Sequence, residues 1–403
     1  MNSLRLGRIR WLTVSLASCF LLITATAQAQ SGDDIDQEFN VQPGGTLNIE
    51  SDAGPIEVRT WDQNVVRVRI TNTDNFDISI ERRGNDIWVA ADSDGGFFFN
   101  RSGNIRFEVD VPTEFNVDLD TGGGNIEIAA ITGHVIADTS GGRIEVGDVT
   151  RGSVEVDTSG GRIEIGNVDG DVIADTSGGS ITIGNVSGDV AADTSGGTIR
   201  IGDVEGNILA DTSGGNIDVG SGGGRVELDT SGGTIRAAFA QGPIIADTSG
   251  GNIYLEGSAV SVEADTSGGN IEISRSGGSV YADTSGGSIT IRQSVGPIRA
   301  DTAGGRIDAE LIASSNRASG SVELESSGGD VTLRIPSNHA ASIVADLESR
   351  RGRSRYEILS DFPIEIREDD DGNVLGRGDI NGGGDLIYLE TTNSDIRIIS
   401  VAN

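Results

Sequence analysis

Through the middle of the chain, apolar residues recur in two short alternating runs separated by paired glycines, and the whole unit repeats. Take the Asp of each Asp-Thr-Ser-Gly-Gly segment as the origin. The residues one and three before it are apolar, as in Val135 and Ala137, Val172 and Ala174, or Ile208 and Ala210. The residue between them varies freely: Ile136, Glu155, Ala191, Glu227, Tyr281, Arg299. That alternation predicts a half-buried strand. Its parity turns the Asp outward and the next residue, Thr, inward. Beyond the glycines comes Ile in every full copy, at Ile144, Ile163, Ile181, Ile199 and onward to Ile289, with a second apolar residue two places later. This is a second strand with its own inward face. A second corner follows, reading Gly-Asn-Val-Asp-Gly from Gly166 to Gly170.

The Asp of the unit falls at Asp138, Asp157, Asp175, Asp193, Asp211, Asp229, Asp247, Asp265 and Asp283, and Asp120 and Asp301 head altered copies. The step is 18 residues throughout except for 19 between Asp138 and Asp157. A fixed period of this length marks a solenoid. The predicted fold is an all-β, parallel β-solenoid of 18-residue, two-strand coils with irregular β caps at both ends. Successive coils stack about 4.8 Å apart, so ten or eleven of them build a rod on the order of 50 Å long. The organisation reads as a signal peptide (1–29), a linker (30–40), an N-terminal β region or cap (41–119), the regular repeats (120–310) and a C-terminal β region or cap (311–403).

Composition fits thin coils rather than a thick globule: 60 Gly, 7 Pro and 4% aromatic residues in 403. The first segment differs. Arg5, Arg8 and Arg10 precede an apolar run from Trp11 to Thr24, and Ala27-Gln28-Ala29 supplies a small-residue cleavage pattern, which predicts export with cleavage after Ala29. A lipoprotein reading, with Leu16-Ala17-Ser18 before Cys19, would place the apolar run from Phe20 to Ile23 directly after the lipid. Cleavage after Ala29 removes three Arg and the single Cys, leaving 62 acidic against 26 basic residues, a net charge of −36, with no possible disulfide. Every basic side chain is Arg. Such acidity disfavours nucleic acid and anionic lipid as partners and keeps a long β body soluble.

The Asp column from Asp138 to Asp283 is the first candidate site. Outward carboxylates about 4.8 Å apart repel by roughly 0.9 kcal/mol per neighbouring pair even in bulk water. Two arrangements would offset this. In one, each Asp accepts hydrogen bonds from the Ser or Gly N–H groups after it, as an Asx-type turn. In the other, the column binds Ca²⁺ between coils, although its spacing departs from the calcium nonapeptide repeat. No other cofactor is expected. Arg350, Arg351, Arg353 and Arg355 form the one basic cluster, a candidate dock for an anionic group or a solvated loop paired with nearby acids. The acidic run Glu368 to Asp371 reads as a loop, with Val374 where a calcium loop needs Gly. His134 and His339 stand in no metal-ligand or Ser-His pattern. The Thr residues face inward, which counts against an ice-binding face. Carboxylate pairs could serve a polysaccharide lyase or hydrolase, but in so acidic a chain they single out no site.

Three stretches resemble a known family: Gly45-Thr46-Leu47-Asn48-Ile49 with Gly54-Pro55-Ile56-Glu57-Val58; the Asp-Thr-Ser-Gly-Gly repeats; and Asn381-Gly382-Gly383-Gly384 followed by Thr391-Thr392-Asn393-Ser394-Asp395-Ile396. They resemble the bacterial putative adhesins of the domain-of-unknown-function 4097 group. The resemblance implies an exported β-solenoid of the cell envelope and brings no catalytic residues. The reading is therefore a non-catalytic, adhesin-like or scaffolding protein of the envelope or cell surface. The alternatives are a periplasmic accessory of envelope homeostasis and, in a different class, a β-helix polysaccharide enzyme. An envelope or extracellular protein or glycan is the expected partner, with no nucleic acid and no membrane-spanning segment in the mature chain. Oligomeric state is left open.

Overall fold

The computed structural model describes residues 27–28, 34–93, 105–312, 320–349 and 356–402. It is a β-solenoid: two long sheets face each other across a narrow core, and among the described residues there is no helix. The strands that end in Asp-Thr form the first sheet. Val154–Thr158, Val172–Thr176 and Val190–Thr194 pair in parallel and in register, Asp on Asp and Thr on Thr. The Ile-x-Ile strands form the second sheet, with Ile163, Ile181, Ile199 and Ile217 stacked in one column. Each of these Ile side chains is fully buried, as the alternation requires. The inward residues of the first sheet are Val and Ala. Their small volume lets the two sheets close tightly across the core.

A third, narrower side completes the coil. The corner read between Gly166 and Gly170 places Val168 inward, and single bridges link Val149, Val168, Val186, Val204, Gly222 and Ala240 in turn. The flanking corner residues lock one coil to the next. The Asp148 carboxylate accepts the Asn167 N–H at 2.8 Å, the Asn167 side-chain oxygen accepts the Asn185 N–H at 3.0 Å, and Asn185 accepts from Asp203 at 2.9 Å. From Ile235 onward the second-sheet strands lengthen from three residues to six and absorb this third side, as in Ile235–Ala240.

Stacking order and chain order part company at both ends. The strand Thr46–Ser51 lies between Asp86–Ser93 and Asn116–Thr121, so a coil from early in the chain sits inside one that follows it. At the other end Asp385–Thr392 lies between Val322–Ser326 and Ala341–Glu348. Antiparallel strands then close the rod. Phe76–Arg83 covers the edge of Asp86–Ser93, and Val374–Ile380 with Glu365–Glu368 covers Ala341–Glu348. Such reversal blunts edges that would otherwise template further pairing. Ile35–Asn40, within the segment read as a linker, is itself a strand paired antiparallel with Val65–Thr71. Its Ile35 is buried and its polar residues face out, a short alternation easily missed beside a charged stretch. The cleavage site at Ala29, Cys19 and the Arg350, Arg351, Arg353, Arg355 cluster lie outside the described residues.

Two outcomes test this packing. Ile199→Asp places an unpartnered charge in a side-chain position that is 0% exposed, and is expected to lower stability by on the order of 4 kcal/mol. Arg200→Asp, one residue on and exposed, should leave the melting temperature within a few degrees. Equal melting temperatures for the two variants would refute the inward assignment. The paired glycines also differ. A Cβ on Gly179 would lie 1.8 Å from the Gly161 carbonyl oxygen, whereas one on Gly178 would lie 3.6 Å from that of Gly160. Gly179→Ala should cost about 3 kcal/mol or more, and Gly178→Ala close to nothing, as read by thermal melts of the two variants.

Candidate functional site

The Asp column is built from the corner beside it. The Thr that follows each Asp is buried, and its hydroxyl makes two bonds. It donates to the second Gly carbonyl of the preceding coil, as in Thr176 to Gly161 at 2.9 Å and Thr194 to Gly179 at 2.8 Å. It accepts the N–H of the second Gly in its own coil, as in Gly179 to Thr176 at 3.3 Å. The Ser N–H goes to the Thr carbonyl of the preceding coil, as in Ser177 to Thr158 at 3.3 Å. The Asx-type turn expected of the Asp is therefore not formed. The Thr hydroxyl occupies that role because it points inward toward the turn, while the Asp points away from it. The Thr hydroxyls thus bond Gly carbonyls of the preceding coil and not one another.

The Asp side chains are left in a line on the outer face. Asp120 and Asp301 continue the line, and so do residues that sequence spacing did not reveal. Glu50 is in register with Asp120, Glu325 with Asp301, Glu390 with Glu325 and Asp346 with Glu390. With the nine repeat Asp residues in register between them, fifteen carboxylates form one ladder. It runs about 70 Å at the spacing of parallel strands. Only the inward/outward parity of the irregular ends could have signalled the four added members, and their stacking order hides it. Of the nine, Asp283 accepts a long bond of 3.5 Å from the Tyr281 hydroxyl; no ion pair or hydrogen bond among the described residues holds the others.

The ladder carries its cost in its acidity. Loss of hydration between stacked neighbours, and then the charges of Asp157 and Asp120, push Asp138 up to about 6. Lost hydration, then Asp193 and Asp157, do the same to Asp175, also to about 6. Asp193, Asp211, Asp229, Asp265 and Asp283 are raised as well, each chiefly by lost hydration. Corner carboxylates behave in the opposite way. Asp203 is held below the usual range by the Ser221 hydroxyl and N–H. The outer face of the second sheet also differs, because several of its acids are paired with Arg. Arg236 meets Asp218 at 3.4 Å and lies over the Tyr254 ring at 5.3 Å, and Arg292 meets Asp308 at 3.0 Å.

Among the described residues no three His, Cys, Asp or Glu side chains converge on one point that could hold a metal ion; the ladder is a line, not a cage. His134 belongs to a corner, its ring Nδ1 accepting the Ser153 N–H at 3.1 Å. His339 is half-buried against a chain reversal, and burial lowers its pKa. In the run from Glu368 to Asp371, Asp369 closes a hairpin turn by accepting the N–H groups of Asp371 and Asn373 at 3.0 and 2.8 Å.

No family model matches the chain, and no curated protein matches it. Among solved structures, a putative cell adhesion protein from Clostridium sporogenes aligns at 8% identity over 92% of this chain and 100% of that one, with a TM-score of 0.15. A putative adhesin from Parabacteroides distasonis aligns at 16% identity over 58% of this chain and 97% of that one, with a TM-score of 0.28. A putative adhesin from Bacteroides fragilis aligns at 12% identity over 92% and 98%, with a TM-score of 0.19. Likeness at this level carries no functional argument, and the fold rests on the strand pairing of this chain itself.

The raised pKa values fix a pH response. Asp138 and Asp175 ionise near 6 in the folded chain against 3.8 for the free side chain, so folding takes up protons between those values. Stability therefore rises as pH falls through about 6, and the gain is complete below about 4. Asp36, Asp203 and Asp369 are lowered, so their opposing losses come only at more acid pH. The melting temperature should be higher at about pH 5 than at about pH 7.5. Asp175→Asn should raise it at the higher pH and have little effect at about pH 4. A melting temperature that falls across this window would contradict the unpaired ladder.

Proposed function

We propose that this chain is an exported, non-catalytic solenoid that presents a long, rigid acidic face for adhesion or scaffolding at the bacterial envelope or cell surface. The observation that carries this reading is the ladder of fifteen in-register carboxylates, which continues through ends whose chain order is irregular. A solenoid face of this kind suits an extended partner, because each coil adds an equivalent contact. The ladder also argues against polysaccharide cleavage. Acid/base work needs one pair of carboxylates set apart from the rest, at a separation that selects the mechanism. Here each rung from Asp120 to Glu390 has a carboxylate in register on both sides, so spacing sets no pair apart. Export rests on the basic and apolar N-terminal segment with its small-residue site at Ala29.

Location tests the reading. With a tag on the C-terminus, protease shaving of intact cells is compared with osmotically released periplasm and with culture medium. Cleavage on intact cells, or release into the medium, is the expected result. A pool protected from protease and released only by osmotic shock would exclude the surface role in favour of a periplasmic envelope accessory.

A further inference from the structure

Beside the carboxylate ladder, on the same outer face of the first sheet, runs a second column two residues earlier in each strand. Ile136, Ile173, Leu209 and Tyr281 stand in it, 38, 44, 50 and 39% exposed, with Ile245 half-buried among them. Large apolar side chains scattered singly over a surface need no explanation, but a contiguous exposed set marks an interaction site. They share one in-register line with Glu155, Ala191, Glu227 and Glu263, which alternate with them, so the unbroken apolar stretch is Ile173, Ala191 and Leu209 on three successive strands. From Ile136 to Tyr281 the line spans eight strand spacings, about 38 Å. Toward its far end it opens into a shallow groove of about 620 Å³ that also takes in Val260, which is 52% exposed. The arginines bordering that groove are already committed, Arg299 to Glu323 at 3.2 Å and Arg225 to Glu227 at 3.1 Å.

The face thus offers an apolar patch centred on Ile173, Ala191 and Leu209, continued in both directions by single apolar side chains between Glu155, Glu227 and Glu263, and flanked by Asp175, Asp193 and Asp211, which make no ion pair or hydrogen bond among the described residues. A second copy of the chain would bring one ladder against another, on a protein of formal charge −33, so self-docking is opposed. Charge complementarity selects a cation. We infer that this face docks a cationic, amphipathic polypeptide in extended form, lying along the rod axis. An extended chain sends alternate side chains to opposite sides. One set then covers the apolar column and the other, Lys or Arg, reaches the carboxylates. This names the partner class for the binding face proposed above and rests on that reading for the biological role of the face.

The probe is a fluorescent peptide of alternating Lys and Leu, about 12 residues long and ~40 Å when extended. Its companion alternates Lys and Ser and has the same charge. Binding to the purified chain is followed by anisotropy at about 0.15 M salt, where distant surface charges are screened. The Lys-Leu peptide should bind about tenfold more tightly than the Lys-Ser peptide. The double variant Ile173→Ser, Leu209→Ser should lose that margin while melting like the parent, since both side chains are exposed. Asp193→Asn with Asp211→Asn should weaken both peptides. Equal affinity for the two peptides, a margin that survives in the double variant, or absence of binding would each overturn the inference. Because the assay uses purified protein, its failure removes the partner class and leaves the surface role standing. A protected periplasmic pool in the shaving experiment removes the surface role and leaves the binding result standing.

Discussion

Every regular coil repeats one buried side-chain contact with the coil before it, the Thr hydroxyl donating to a Gly carbonyl of the preceding coil. Thr158 to Gly142, Thr212 to Gly197 and Thr266 to Gly251 repeat it at 2.8 to 2.9 Å. The contact has a strict spatial requirement. The second Gly of the pair passes so close to that same carbonyl that a Cβ there would overlap it, at 1.8 Å in Gly161, Gly197 and Gly251. A buried hydroxyl without a partner would be costly, and a carbonyl closed off by a side chain would be unreachable. Thr and Gly are thus two halves of one device. Together they hold the strands in a register that stacks like on like.

The ends show that this device follows space, not sequence. Thr121 donates to Gly54 at 2.8 Å, and Thr391 donates to Gly329 at 2.7 Å, although the chain does not run directly from one coil to the next in either case. Ser326, in the Thr position, donates to Gly305 at 2.8 Å. A coil can therefore enter the stack out of chain order so long as its corner presents a hydroxyl to the Gly carbonyl of its neighbour; the corner after Thr391, Thr392-Asn393-Ser394-Asp395, does so without a glycine of its own. Placing the early coil inside, and hairpins outside, lets antiparallel strands form the exposed ends. The regular middle cannot do this for itself, because identical parallel coils always leave one more edge.

Much of this was legible in the residues. The alternation around Val172, Ala174 and Thr176 fixed which side chains face inward, and the Ile column through Ile199 located the second sheet. Two features were not legible. The hydrogen-bonding role went to Asp on propensity, since Asx turns are common at such corners; only the direction of the side chain, inward for Thr and outward for Asp, decides between them. The ladder's extension to Glu50, Glu325, Glu390 and Asp346 was hidden because register at the ends depends on pairing between distant segments, such as Thr46–Ser51 with Asn116–Thr121. Periodicity within the chain carries no information about that pairing.

The ladder is set apart by what its position tolerates and by what it gives the fold. Corner positions that bond the next coil accept several residue types: Asn216 and Asn252 receive the N–H of Thr234 and Asn270, and Ser180 that of Thr198. Any side chain with an acceptor suffices there. The ladder position makes no bond to the backbone of the next coil; Asp283 and Glu390 accept hydrogen bonds from Tyr281 and Tyr388 of their own strands. Yet each of its fifteen rungs is Asp or Glu. Lost hydration, and then the stacked charges, raise the pKa of Asp138 and Asp175, so the fold would be more stable with neutral groups in their place. The corner bonds and the buried Ile column offset that repulsion. A repeated side chain that opposes folding and faces outward over fifteen successive strands is the feature on which the proposed binding role rests. The apolar stretch beside it, Ile173, Ala191 and Leu209, runs across the strands and so gives the proposed docking its direction along the axis.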